Sequence, residues 1–259
     1  MIKKIIGMLV LIVVLASCAS RQKLQYYQGI ETVHNDSISY QTVLKTDDLL
    51  LIIVSAPTPE LAANFNLASF GVIGDGSNIG NPERAGTQLR YQSYLIDSEG
   101  AIEFPVLGRI QLAGLTRAEA LSFLKNKLKA YINEPIVNLR ILNYKVTVQG
   151  EVVRPGTFDI NTERITLPEA LAMAGDMTIY GKRDNVLVIR EIDGKKTSNF
   201  VDMTKADFIN SPFYYLSQND VVYVEPNKTK MNGSAVGPNI SVILTSVSLI
   251  ITIIALLIR

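Results

Sequence analysis

The sequence has little of the chemistry that catalysis and metal binding draw on. Of its 259 residues one is Cys, one is His and none is Trp. A single Cys excludes an intrachain disulfide framework and a Cys-rich metal site. The single His34 excludes the His-pair zinc motifs and would leave a Ser-His-Asp triad resting on one residue near the N-terminus. A dominant charge is missing too: 25 basic against 24 acidic side chains leave +1, and without Lys3 and Lys4, which read as part of a removable leader, the balance is 23 against 24, or −1. There is no clustered basic excess for nucleic acid. No Gly-rich phosphate loop or metal constellation appears, and no cofactor is expected. What the chain does have is apolar residues, 47% of the total, piled up at its two ends. Its length suits one large or two ordinary domains.

Residues 1–17 have the order of a secretory signal peptide: Lys3-Lys4, an apolar run from Ile5 to Ala16, then Leu15-Ala16-Ser17 immediately before the sole Cys18. At the other end Ile240 to Ile258 is 19 residues without a charge. As a helix it would be about 28 Å long, close to the roughly 30 Å hydrocarbon core of a bilayer. Ser241, Thr245, Ser248 and Thr252 step by 4, 3 and 4 along it, a seam of hydroxylated residues opposite a stripe of Ile243, Val247, Ile250, Ile254 and Leu257. One face suits lipid and the other suits protein or water. The alternative is a lone tail anchor whose hydroxyls bond back to their own helix carbonyls.

The body between the ends divides in two. In the first part, Leu49 to Val54 reads as a continuous apolar strand, Asp97 to Gly100 as a turn between short strands, and Val106 to Gly114 as a further strand and turn. Thr116 and Glu119 form a capping box, opening a helix with Leu121, Leu124, Leu128 and Tyr131 on one face; Pro135 stops it, and Ile136 to Leu142 returns as a strand. The glycines at 71, 74, 76, 80 and 86 mark a long loop. In the second part Lys145 to Gln149 alternates like a half-buried strand and the turn Gly150 to Gly156 leads into Thr157 to Ile160. Thr166 and Glu169 form another capping box, on a helix ending at Ala174-Gly175. A hairpin about Asp193-Gly194 and a strand up to Pro226 complete the outline of a β-grasp. The stretch 227–239 reads as a polar linker.

These segments carry a resemblance. Leu15-Ala16-Ser17-Cys18 resembles the lipobox of bacterial lipoproteins. Residues 40–54 and 94–114, above all Asp97 to Leu107 followed by Gly108-Arg-Ile-Gln-Leu-Ala-Gly114-Leu-Thr-Arg-Ala-Glu119, resemble the export domain of Wza-type outer-membrane polysaccharide export lipoproteins. Residues 146–225 are similar to a soluble-ligand-binding β-grasp (SLBB) repeat, through Val148-Gln-Gly150-Glu151-Val-Val-Arg-Pro155-Gly156, Thr166 to Gly175 and Asp220-Val-Val-Tyr-Val. The resemblance implies an α+β chain: signal peptide 1–17, lipidated leader 18–38, export domain 39–143, SLBB domain 144–226, linker 227–239 and transmembrane helix 240–259. It further implies lipidation of Cys18, a body in the periplasm of a Gram-negative bacterium, and a homo-oligomeric ring whose terminal helices form a pore for capsular polysaccharide or exopolysaccharide. Ser241, Thr245, Ser248 and Thr252 would then face the lumen or neighbouring helices. The implied partners are membrane lipid, the polymer, and an inner-membrane copolymerase of the tyrosine autokinase type. The sequence departs from the pattern at Lys45-Thr-Asp-Asp48, where many members have Pro-Gly-Asp, in a Gly/Asn-rich insertion over 61–90, and in having one β-grasp repeat where longer members have more.

An enzyme reading has little to work with. Asp47, Asp48, Asp97, Glu99 and Asp220 are the carboxylates a glycosidase pair would be drawn from, yet Asp97 and Glu99 fall in a turn, and Asp220 precedes a strand in the same way as Asp48. Tyr26, Tyr27 and Tyr40 suit stacking on sugar rings or packing on the body equally. The alternative to export is a periplasmic glycan-binding or scaffold lipoprotein, anchored at both ends and not transporting.

Overall fold

Two capping boxes set the frame. The computed structural model of the chain describes residues 23–33, 41–72, 87–192, 194–236 and 240–257, and in it Thr116 and Thr166 each accept the N–H of the residue three ahead while Glu119 and Glu169 return the bond. Each box starts the helix that its half of the body wraps around, and each half has its own buried cluster.

In the first half, β1 (Leu49–Ser55) is the middle strand of a three-stranded sheet. It lies between β4 (Tyr94–Leu95) and β7 (Ile136–Ile141), antiparallel to both. A short helix α1 (Pro59–Ala63) follows β1. β2 (Ala68–Val72) and β3 (Thr87–Tyr91) pair as an antiparallel ribbon, so the flanks of the expected insertion are ordered strands, while residues 73–86 lie outside the described residues. β5 (Ala101–Phe104) and β6 (Gly108–Gln111) form a hairpin. Helix α2 (Arg117–Leu128) turns Ala120, Leu124 and Leu128 into the core. Burying each such leucine contributes about 1.5–3 kcal/mol.

β1 buries Leu50, Ile52 and Val54 while Leu49, Leu51 and Ile53 are partly exposed, because only one face of this small sheet is covered by the core. One expectation changes here. Tyr131 does not lie on the α2 face. The helix ends at Leu128, before Pro135 can act, and Ile132 takes the core position while Tyr131 stays exposed with its ring 5.7 Å from that of Phe65.

The second half contains β8 (Lys145–Gly150), β9 (Gly156–Asp159), β10 (Ile165–Thr166), α3 (Leu167–Met173), β11 (Gly181–Ile192), β12 (Lys195–Val201), β13 (Tyr215–Leu216) and β14 (Val221–Pro226). The main sheet has the order β12-β11-β14-β8-β9, with β14 and β8 parallel and its other neighbours antiparallel. α3 packs Leu167, Ala170 and Leu171 onto Val146, Val148, Val186, Val188, Val222 and Val224, the single-helix grasp expected. Gly150 makes the parallel pairing feasible: its φ is +91°, and a Cβ there would lie 2.1 Å from the carbonyl oxygen of Val224.

The expected linker is largely helical. Asn227 caps it through its side-chain oxygen, which accepts the N–H of Lys230 at 3.0 Å, and α4 runs Lys228–Val236. α5 then runs Ile240–Leu257. Mixed α and β structure holds throughout the body. Among the described residues no helix is long and apolar enough to cross a membrane; α5 is described over Ile240–Leu257, and the last two residues of the expected transmembrane helix 240–259 lie outside the described residues.

Candidate functional site

Two turns wired alike face the joint between the halves. In Lys45–Asp48 the Asp48 carboxylate accepts the Lys45 N–H at 2.8 Å, and the Asp48 N–H returns to the Lys45 carbonyl at 3.3 Å. In Ser217–Asp220 the equivalent distances are 2.7 and 3.1 Å. The third residue of each turn, Asp47 or Asn219, has a φ near +65° (66° and 64°). Asp and Asn tolerate that region better than other side chains. Both turns feed directly into a strand, β1 or β14. The likeness of Asp48 and Asp220 noted in the sequence is therefore a shared backbone device.

Their electrostatics differ. Asp220 is fully buried and receives three bonds from Arg190, at 2.7, 3.0 and 3.1 Å. Burial pushes its carboxyl up, against the pull of Arg190 and the Ser217 N–H. Asp48 is equally buried but has only the Lys45 amide bond and a more distant Lys45 charge to offset burial, which raises it to about 6. Asp97 is the opposite case: the Ala101 N–H and the Arg109 guanidinium, 2.7 Å away, hold it below the usual carboxylate range. Arg109 also bonds Glu99 at 2.8 Å. Of the carboxylates available to a glycosidase reading, Asp48, Asp97 and Asp220 accept backbone N–H groups of their turns and Glu99 pairs with Arg109, while Asp47 is held in its turn by its backbone alone and borders the larger cleft.

Asn143 joins the halves. Its side chain accepts the Leu49 N–H at 2.9 Å and donates to the Asp47 carbonyl at 2.8 Å, while its own carbonyl accepts from Gln218 Nε2 at 2.7 Å. Thr42 and Arg117 reach across to Glu163, at 2.8 Å and 2.9 Å. Clefts remain on either side of these bonds. One of about 670 Å³ is bounded by Lys45, Asp47, Glu191, Ser217 and Asn219, and one of about 350 Å³ by Thr42, Arg117, Arg140, Asn161 and Glu163. Both signs of charge line them. Nothing in the residue pattern singles out Asn143, Arg190 or Gln218, since each acts on a partner far along the chain.

Among the tyrosines offered for sugar stacking, Tyr26 and Tyr27 pack on the body. The Tyr26 hydroxyl donates to Asp176 at 2.8 Å, and the Tyr27 ring lies 5.4 Å from that of Phe208. Burial, then the Asp176 bond, raises the Tyr26 hydroxyl above its usual range. Tyr40, His34 and Cys18 lie outside the described residues. On α5 the described side chains are exposed, Leu244 and Leu249 at 63%. Thr245 donates to the Val242 carbonyl at 2.9 Å and Thr252 to that of Ser248 at 2.8 Å. These seam hydroxyls bond back within their own helix. The Ser241 side chain is outside the described set. Among the described residues no group of three or more His, Cys, Asp or Glu is placed to hold a metal ion.

Comparison with known proteins coincides with this architecture. Residues 36–142 match the family described as polysaccharide biosynthesis/export protein, and residues 144–224 match the SLBB domain, so the two matches meet at Asn143. The chain is 30% identical over 202 residues to the EPS I polysaccharide export outer membrane protein EpsA of Ralstonia solanacearum, covering 75% of this chain and 51% of the relative. It is 29% identical over 209 residues to the protein of the same name from Ralstonia nicotianae, covering 75% and 50%. The chain spans about half the length of these curated relatives.

Proposed function

We propose that this chain, which belongs to the polysaccharide biosynthesis/export protein family, is an outer-membrane subunit through which an exopolysaccharide or capsular polymer leaves a Gram-negative cell. The observation that carries this reading is the contiguous pair of domain matches, export then SLBB, joined at Asn143 and shared in large part with two proteins named as polysaccharide exporters. In this reading the work is passage, and Asp48, Asp97 and Asp220 serve their turns.

In this reading Cys18 is lipidated and holds the N-terminus to the membrane, since two anchoring signals give stable attachment. α5 is the second anchor. Its exposed Val242, Leu244, Leu249, Ile250, Ile251 and Ile253 require cover, because each large apolar side chain left in water forfeits about 1.5–3 kcal/mol. At 18 residues it is about 27 Å long, near the hydrocarbon thickness. One helix encloses nothing. A homo-oligomeric ring of such helices, with Ser241, Thr245, Ser248 and Thr252 turned to the lumen or to neighbours and the branched stripe to lipid, satisfies both media. Polymer would arrive from an inner-membrane copolymerase of the tyrosine autokinase type.

The second reading, a glycan-binding or scaffold lipoprotein that forms no pore, draws on the Thr245 and Thr252 hydroxyls being satisfied within their own helix. A clean deletion and a truncation after Asn239, each scored for surface polysaccharide, separate the two. Export predicts loss of surface polymer in both strains. Normal surface polymer in the truncated strain removes the pore, and normal polymer in both, with no redundant exporter, removes the export function.

A further inference from the structure

β7 is an edge strand, with β1 on one side and no strand of its sheet on the other. Leu142, just past its end, donates its N–H to the Leu49 carbonyl of β1 at 2.7 Å. A strand residue aims its N–H and C=O to one side and the next residue aims to the other, so Leu139 and Ile141 aim theirs away from β1. From that side Arg117 Nε donates to the Leu139 carbonyl at 2.9 Å. The N–H groups of Leu139 and Ile141 thus face the cleft of about 350 Å³, which residues 138–141 border along one wall and residues 161–163 along the other.

This cleft is one part of a longer groove. A neighbouring hollow of about 390 Å³ shares Thr42, Arg117 and Glu163 with it and adds Arg164, and Thr42 also borders the cleft of about 670 Å³ beyond. Sites for a small molecule fall within about 300–1,000 Å³. Three such spaces meeting at one threonine suit an extended chain better than a single small ligand. Asn138, Asn161, Thr162 and Thr42 offer it amides and hydroxyls, which donate and accept as sugar hydroxyls do.

Charge narrows the choice of ligand. Among the described residues bordering the two smaller spaces, Arg117, Arg140 and Arg164 stand against one carboxylate, that of Glu163, which Arg117 already holds at 2.9 Å. Arg164 lies over the Tyr215 ring, its guanidinium 5.1 Å from the centroid. Arg140 is exposed and has no acceptor among the described residues. A guanidinium left over beside backbone N–H groups is matched by a planar anion with two oxygens. The larger cleft is unlike this: Lys45 is taken by the Glu191 carbonyl at 3.3 Å and Arg190 by Asp220, while Asp47 and Glu191 add negative charge. An anion is therefore directed to the β7 side.

We propose that the groove between β7 and residues 161–163 is a binding site for a carboxylate-bearing sugar unit, in which Arg140 pairs with the carboxylate and Asn138 and Asn161 with the hydroxyls. The inference rests on the export reading above and deepens it: the polymer that passes is an acidic one, with units of the uronic acid type.

Trigalacturonate and its methyl ester are the probes, alike in shape and different in charge. Each is titrated into the full chain in detergent and followed by saturation-transfer NMR. The acid should bind several-fold more tightly than the ester, with a preference that shrinks as salt is added. Arg140→Gln should abolish the preference, Arg140→Lys should retain part of it, and Asn161→Ala should weaken both probes alike, each variant keeping the circular dichroism spectrum of the parent. Equal binding of acid and ester by the parent, or a preference that survives Arg140→Gln, overturns the site. Glucose 6-phosphate competing as strongly as trigalacturonate overturns the assignment to a carboxylated sugar. A chain that binds neither probe yet restores surface polymer to the deletion strain overturns this inference alone. Binding as expected, by a chain whose deletion leaves surface polymer normal with no redundant exporter, upholds the site and overturns the export reading.

Discussion

Asp48 and Asp220 hold the same place in turns of the same wiring, and only Asp220 meets a cation, Arg190 at 2.7 Å. The same substitution should therefore have opposite consequences at the two positions.

For Asp48→Asn we expect a gain. The amide oxygen can still accept the Lys45 N–H, and the buried charge disappears. With the carboxyl raised from 3.8 to about 6 in the folded protein, the folded state holds the extra proton between those pH values. Stability from this group is thus present at low pH, is lost as pH rises from about 4 to about 6, and stays lost above. The variant should be more stable than the parent by about 1–3 kcal/mol at pH 8 and should lack that part of the pH slope. Chemical denaturation of the full chain in detergent at pH 5 and pH 8 checks it.

For Asp220→Asn we expect a loss of about 3–5 kcal/mol, because Arg190 would remain buried without a counter-charge. Pairing Arg190→Met with Asp220→Asn, which keeps an acceptor for the Ser217 N–H, should recover most of it. A double variant no better than the single would show that the unpaired Arg190 charge is not the source of the cost.

Gly150→Ala should cost more than about 3 kcal/mol, since the new methyl meets the Val224 carbonyl and the φ is unfavourable. Gly114→Ala, at φ +85° but in open space, should cost only about 1 kcal/mol. Thermal unfolding of the two variants side by side isolates the contact from the backbone strain.

Thr245→Leu with Thr252→Leu should lower surface polymer several-fold while leaving protein level and membrane insertion unchanged. The hydroxyls bond within their own helix, so their removal costs the helix little; on the export reading, what changes is the wall offered to the polymer. Unaltered surface polymer would assign both residues to packing.

Local signals in the sequence were dependable. The boxes at Thr116–Glu119 and Thr166–Glu169 and the Asp97–Gly100 turn all depend on neighbours a few residues apart, where spacing and residue type decide the outcome. The joint and the packing of Tyr26 on the body were not legible. Asn143 bonds Asp47 and Leu49 nearly a hundred residues away, Arg190 bonds Asp220, and Tyr26 bonds Asp176; side-chain chemistry at such separations leaves no periodic trace. α4 was missed for a different reason. A Gly and polar residues suggested a tether, yet Asn227 is an ordinary N-cap and its signal was there to be read.

β14 has one further consequence. It lies in the interior of its sheet, bonded to β11 on one side and to β8 on the other, and α4 starts two residues after it ends. Tension applied along the terminal helix would load both ladders in shear, so many hydrogen bonds would have to fail together instead of one after another. A strand at the sheet margin would peel away. β14, the last strand among the described residues, is thus built as a mechanical root, able to take strain from a stalk that is pulled or bent.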